Sequence, residues 1–175
     1  SYGSRIASAN VPLSLFSDNA CSIGAGSVVL LGNMAVTNSS GYASFATLNI
    51  TKAGSYYVKA SSSGVNSSCS TQALTLTAAS LYSLSFATQP SGSVMAGSPF
   101  TTQPSVLALD LYGNPVQVLI ALTPFTNSGC TIAGSGVISN STLYSNASGY
   151  ATFVSVSFNR AGTIFLRASN GRFYE

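Results

Sequence analysis

The stretch Asn38-Ser-Ser-Gly-Tyr-Ala-Ser-Phe45 returns as Asn146-Ala-Ser-Gly-Tyr-Ala-Thr-Phe153, 108 positions later. Lys52-Ala-Gly54 and Arg160-Ala-Gly162 keep that offset, as do Val58-Lys-Ala-Ser61 and Leu166-Arg-Ala-Ser169. Upstream the match drifts: Cys21-Ser-Ile23 and Cys130-Thr-Ile132 lie 109 apart, Tyr2-Gly3 and Tyr112-Gly113 lie 110 apart. Loop insertions between two copies of one structural unit produce such a drift. A period of this size suits one β-sandwich domain of about 100 residues.

Within each copy the segments are short, β-branched and aromatic, with turn residues every 8–12 positions or so, the pattern of an all-β sandwich. Six prolines and sixteen glycines fall mostly between those segments, and no helical stripe of useful length occurs. Alternation places Tyr56, Val58 and Ala60 on a core face and Tyr57, Lys59 and Ser61 outside. In the second copy it places Ile164, Leu166 and Ala168 inside, with Phe165 and Arg167 outside. The strand expected after each Ser-Gly-Tyr turn changes phase. Ala43 and Phe45 share one parity and Leu48 and Ile50 the other; Ala151, Phe153, Val156 and Phe158 repeat the shift. A bulge between the halves would keep all four residues inward and turn Asn49 to solvent.

Ala78-Ala-Ser80 separates the copies, so two tandem domains are expected, over residues 1–79 and 80–175. The first copy enters about a third of the way into the unit, and the second stops just before the counterpart of Cys69. The first domain is therefore expected to lack its N-terminal strands and the second its C-terminal strand. Either the chain is a window on a longer array, or neighbouring subunits supply the missing strands and assemble head to tail.

Leu84-Ser-Phe-Ala-Thr-Gln-Pro-Ser-Gly92, Ala96-Gly-Ser-Pro-Phe100 and Gln103-Pro-Ser-Val-Leu-Ala-Leu-Asp-Leu-Tyr-Gly-Asn-Pro-Val116 carry a family signature. With the S-G-Y-A-[ST]-F and [KR]-A-G segments that follow, the chain resembles immunoglobulin-like repeats of large secreted and cell-surface proteins. Those include invasin-type bacterial adhesins and repetitive extracellular proteins of protists and algae. The resemblance implies tandem immunoglobulin-like β-sandwiches used as a spacer or stalk, and it carries over no catalytic residue.

Composition excludes much chemistry. Charged residues make up 5% of the chain, against about 25% in ordinary soluble domains. With no histidine, neither a Ser-His-Asp triad nor an imidazole metal site can be built. The acids Asp18, Asp110 and Glu175 are far apart in sequence, which disfavours a glycosidase carboxylate pair. A net charge of +3 spread over six separated cations makes no stripe for nucleic acid. Apolar runs such as Val28 to Leu31 fall far short of the roughly 20 residues that cross a bilayer. No catalytic residue, cofactor, metal, nucleic acid or membrane insertion is expected.

The residues worth singling out are structural. A Cys21–Cys69 disulfide is expected, with Cys130 left to pair with a cysteine beyond residue 175; such bonds persist in oxidising compartments. Five N-x-[ST] sequons stand at Asn38, Asn49, Asn66, Asn140 and Asn146, and Asn38 and Asn146 are equivalent. N-glycans there would supply polarity that the charges do not; the alternative is that Asn simply favours the turn before Ser-Gly. Asp110 is expected to accept backbone hydrogen bonds in its turn, since one carboxylate is too few for a calcium cage. Leu107, Leu109 and Leu111 leave their strand apolar on both faces, a possible packing interface. Lys52/Arg160 and Lys59/Arg167 recur at equivalent sites, either as solvated guards of strand edges or as ligands for an anionic polysaccharide.

Two functions fit. One is a structural repeat module of a long, glycosylated extracellular fibre, filament or cell-surface stalk, whose partners are neighbouring repeats or copies of the same chain. The other is an adhesin or receptor module that binds carbohydrate or protein through its loops. Loops that match between the copies favour the first.

Overall fold

The structure is a computed structural model and describes residues 5–90 and 92–171. It is all-β, with strands and no helix among the described residues. The chain divides into two compact units, Ser1–Thr77 and Ala78–Glu175. Ala79 belongs with the second unit: its N–H donates to the Asp110 carboxylate there at 2.9 Å.

The second unit has strands β8 (Leu81–Thr88), β9 (Ser105–Asp110), β10 (Leu119–Phe125), β11 (Ile138–Ser139), β12 (Thr142–Tyr144), β13 (Tyr150–Thr152), β14 (Ser157–Phe158) and β15 (Phe165–Ser169). One sheet has the order β13-β9-β8 and another β12-β10-β15, both antiparallel, while β11 pairs with β14. Alternation decides which side chains turn inward. Val106 and Ala108 of β9, Ile120 and Leu122 of β10, and Ala151 of β13 share one core with Phe100, Phe153, Val156 and Phe158. Ile164, Leu166 and Ala168 pack against it. At roughly 25 cal/mol per Å² of apolar area, these side chains are the main source of the unit's cohesion.

The phase shift read from the sequence is visible here. Ala151, Phe153, Val156 and Phe158 are all buried, while Val154 between them is 69% exposed. Ser155 follows at φ 56°, a left-handed residue that moves the chain from one parity to the other.

The first unit has β1 (Asn10–Phe16), β2 (Leu30–Leu31), β3 (Met34–Val36), β4 (Asn49–Ile50), β5 (Gly54–Ala60), β6 (Ser68–Cys69) and β7 (Leu74–Leu76). Its main sheet runs β3-β1-β5-β6, with β7 also on β5, and β2 pairs with β4. Leu15, Ile50 and Tyr56 form its core, flanked by Val28, Val58 and Leu76.

The two units repeat one pairing. β1 meets β5 with Leu13 opposite Ala60, Ser14 opposite Lys59 and Leu15 opposite Val58. β10 meets β15 with Leu122 opposite Ala168, Thr123 opposite Arg167 and Pro124 opposite Leu166. Each residue of β10 and β15 is the sequence counterpart of its equivalent in β1 and β5, so the register is identical. The same holds for β1-β3 against β10-β12, and for β2-β4 against β11-β14.

One expected strand is absent. Ala43 to Phe45 is irregular and only partly buried, and Leu48 is 36% exposed. Its twin Tyr150–Thr152 is a strand because β9 lies beside it, Ala151 opposite Val106. Among the described residues the first unit has no counterpart of β8 or β9. Near-identical residues therefore form a strand in one unit and a loop in the other, because a strand needs a neighbour for its backbone groups.

Candidate functional site

The turn after β1 and the turn after β10 are built alike. Cys21 donates its N–H to the Asp18 carbonyl, and Cys130 donates to the Asn127 carbonyl. Both cysteines have φ 51°. The Asp18 carboxylate accepts the N–H groups of Ser22 and Ile23, at 3.0 and 2.7 Å to Oδ1, and the Ser22 hydroxyl at 2.7 Å. Those bonds, led by that from Ile23, lower its pKa. Asn127 does the same work uncharged, its Oδ1 accepting from Thr131 and Ile132 at 3.0 and 2.9 Å. Asp18 drew notice in the sequence only as one of three acids and Asn127 not at all, although the two are counterparts 109 positions apart.

From these equal turns the units diverge. In the first, Cys21 is buried and bonded to Cys69, with Cα atoms 6.0 Å apart. Cys69 lies on β6 opposite Lys59, so the bond ties the loop to the edge of the sheet. Ser70 completes the edge: its N–H donates to the Val58 carbonyl at 2.8 Å, and its Oγ accepts the Val58 N–H at 3.1 Å. In the second unit Cys130 is a free thiol, half-buried. β15 ends its sheet, with β10 as its one neighbour among the described residues. A groove of about 520 Å³ lies against it, lined by Phe86, Phe100, Cys130, Phe158, Ile164 and Leu166 among others.

The equivalent sequon turns also superpose chemically. Asn38 Oδ1 accepts the N–H groups of Ser40 and Tyr42 at 2.9 and 3.0 Å. Asn146 Oδ1 accepts those of Ser148 and Tyr150 at 2.9 and 3.0 Å. The carboxamide oxygen is thus the turn-forming atom, the behaviour expected of Asn in an Asx-turn. Asn49, Asn66 and Asn140 are likewise exposed. Asn140, at φ 52°, donates from Nδ2 to the Ser155 carbonyl at 3.0 Å.

Asp110 is 2% exposed. Its two oxygens accept the N–H groups of Ala79, Tyr112 and Asn114 and the Asn114 side-chain amide, at 2.8–2.9 Å. Burial pushes its pKa up, but these donors outweigh it and hold the carboxyl at about 2. Asn114, equally buried, is the member of this cage that composition did not single out.

Leu107 and Leu109 are half-buried and Leu111 is 60% exposed, while Val106 and Ala108 face the core. Of the recurring cations, Lys52, Arg160 and Arg167 are exposed and Lys59 is half-buried. Lys59 Nζ sits 5.7 Å from the Phe16 ring centroid, and the Arg167 guanidinium sits 4.5 Å from that of Phe125. These are the same cross-strand pair, worth about 0.5–1 kcal/mol at exposed sites. Arg160 donates to the Ser135 carbonyl and hydroxyl, and Lys52 is likewise engaged. Among the described residues no three His, Cys, Asp or Glu side chains gather into a possible metal site. No helix there is long and apolar enough to cross a membrane.

No family model matches this chain, and comparison with curated proteins and with solved structures found no match.

Proposed function

We propose that this chain is a structural repeat module of a long, glycosylated extracellular fibre, filament or cell-surface stalk, built from immunoglobulin-like sandwiches. The observation that carries this reading is the recurrence of one pattern in the two units. They share strand register, cysteine turns, sequon turns and the cation–aromatic pair. A binding module would vary its loops around a common frame; here the loops after Cys21 and Cys130 differ only moderately, with no aromatic cluster in either. The Cys21–Cys69 bond points to an oxidising, extracellular-type compartment, where N-x-[ST] sites receive sugar.

The test is intact-mass analysis of native material before and after N-glycosidase and reductant, followed by electron microscopy. Glycan mass at Asn38 and Asn146, with filaments or stalks that contain the chain, is the expected result. A mass equal to the 17.8 kDa polypeptide would sink the glycoprotein reading. A globular particle with no filament or stalk would sink the fibre.

A further inference from the structure

We infer that the outer face of the sheet β13-β9-β8 is the seat of the N-glycan carried by Asn146, whose inner sugars fold back from the turn over Tyr150, Leu107 and Leu109. The occupant is this chain's own covalently attached carbohydrate, so the inference rests on the glycoprotein reading. The sequon Asn146-Ala-Ser148 stands at the rim of that face, in the turn that leads into β13.

Register fixes what the face presents. Ala151 and Val106 point into the core and are fully buried, so their neighbours Tyr150 and Leu107, which lie opposite each other, point outward. Hydrogen bonds flank that pair, from the Ala108 N–H to the Gly149 carbonyl and from the Phe153 N–H to the Pro104 carbonyl. Tyr150 and Leu107 are therefore a non-hydrogen-bonded pair, the kind whose side chains stand closest. Leu109 follows on the same face, about 7 Å along β9. On β8 the residues opposite Leu107 and Leu109 are Ser85 and Ser83, both exposed. Leu107 leans toward the sequon turn: a Cβ on Gly149 would lie 3.3 Å from its Cδ1 and 3.2 Å from the Pro115 Cβ. Apolar groups thus run from the turn across β9, flanked by hydroxyls.

Chemistry and direction both select a sugar attached at this point. None of these outward residues is charged at neutral pH. A pyranose ring has the matching character: C–H groups on one face that pack on a tyrosine ring or a leucine, and hydroxyls at its edge that bond to serines. The Asn146 carboxamide is held by two bonds to its Oδ1, from the N–H groups of Ser148 and Tyr150 at 2.9 and 3.0 Å. Nδ2, the atom that carries the sugar, therefore sits on a fixed amide beside Tyr150. Asn140 is built differently, its Nδ2 donating to the Ser155 carbonyl. A sugar tethered this close to the face is at high local concentration, so weak apolar contacts are enough to seat it.

The test uses the whole glycosylated chain, and the same protein after N-glycosidase, which turns the glycosylated asparagine into aspartate and keeps the turn acceptor. Peptide mapping reads the mass at Asn146. Nuclear Overhauser contacts should join sugar C–H protons to the Tyr150 ring and the Leu107 methyls. Nitration of Tyr150 by tetranitromethane should be about threefold slower with the sugar in place, because a tethered group occupies its seat most of the time. Leu107→Thr, a β-branched replacement suited to a strand, should lose most of that protection. If that variant folds poorly, the contacts and the nitration rates of the unaltered protein decide. A bare Asn146 overturns this inference, and sinks the glycoprotein reading as well only if every other sequon is bare. With Asn146 glycosylated, three results overturn this inference and leave the glycoprotein reading standing. They are sugars without contact to Tyr150, equal nitration rates, and a Tyr150–Leu107 face covered by another protein surface.

Discussion

Asp110 closes a loop by satisfying four donors with one carboxylate, and its protonation is where the second unit becomes sensitive to acid. The folded pKa of about 2 lies below the ordinary value of 3.8. A depressed carboxyl contributes its stability fully above the unfolded pKa and loses it as pH falls from about 4 through 2, an effect on the order of 1–2 kcal/mol. Urea melts of the second unit at pH 7 and pH 2.5 should show that loss. Asp110→Ala should cost about 3 kcal/mol or more, because buried donors are left without an acceptor. Asp110→Asn puts an N–H₂ group among donors and should recover little of it. Asn146 separates two roles in one side chain. Asn146→Ala removes the turn acceptor and should cost about 1 kcal/mol. Asn146→Asp keeps an acceptor oxygen while abolishing the sequon, so it should lose any sugar at that site with little change in thermal stability.

Strands here are defined by their neighbours as much as by their residues. The clearest measure is the glycine of each Ser-Gly-Tyr turn. A Cβ on Gly149 would lie 2.6 Å from the Ala108 carbonyl oxygen, at φ 81°, because β9 runs beside it. On Gly41 it would lie 3.2 Å from the Arg5 Cβ and 3.6 Å from its Cα, at φ 79°. Gly149→Ala should therefore destabilise by about 2–4 kcal/mol, through the left-handed backbone and the clash together. Gly41→Ala should cost about 1–2 kcal/mol, chiefly for the backbone. Parallel denaturation curves of the two variants check the difference. The same principle marks what the sequence could disclose. Alternation and the parity change at Val154–Ser155 were legible because each is a local pattern with one inward solution. The cysteine pair was legible from the repeat. The loop at Ala43–Phe45 was not, because its fate depends on a strand that its own residues do not encode. Nor were the Lys59–Phe16 and Arg167–Phe125 contacts, which exist only once cross-strand register is known, or the donor cage around Asp110.

At the scale of the whole molecule, a single covalent bond makes the two units mechanically and thermodynamically unequal. Cys21 and Cys69 enclose 48 residues of separation. Closing such a loop stabilises by about 4 kcal/mol in the chain-entropy model. Reduction should lower the denaturation midpoint of the first unit and leave that of the second unchanged, which separate spectroscopic probes in each unit would report. Under tension the enclosed residues cannot extend, so reductant should add roughly 160 Å of contour length to the unfolded chain, read by single-molecule pulling. An unchanged contour length would mean the bond is not formed in the protein as purified. Register has a different consequence, for inheritance. Because β1–β5 and β10–β15 pair residue for residue, at offsets of 109 and 108, a recombinant that joins one copy to the other at matched positions keeps the strand register. Crossovers at matched positions would splice half of one core to the complementary half of its twin.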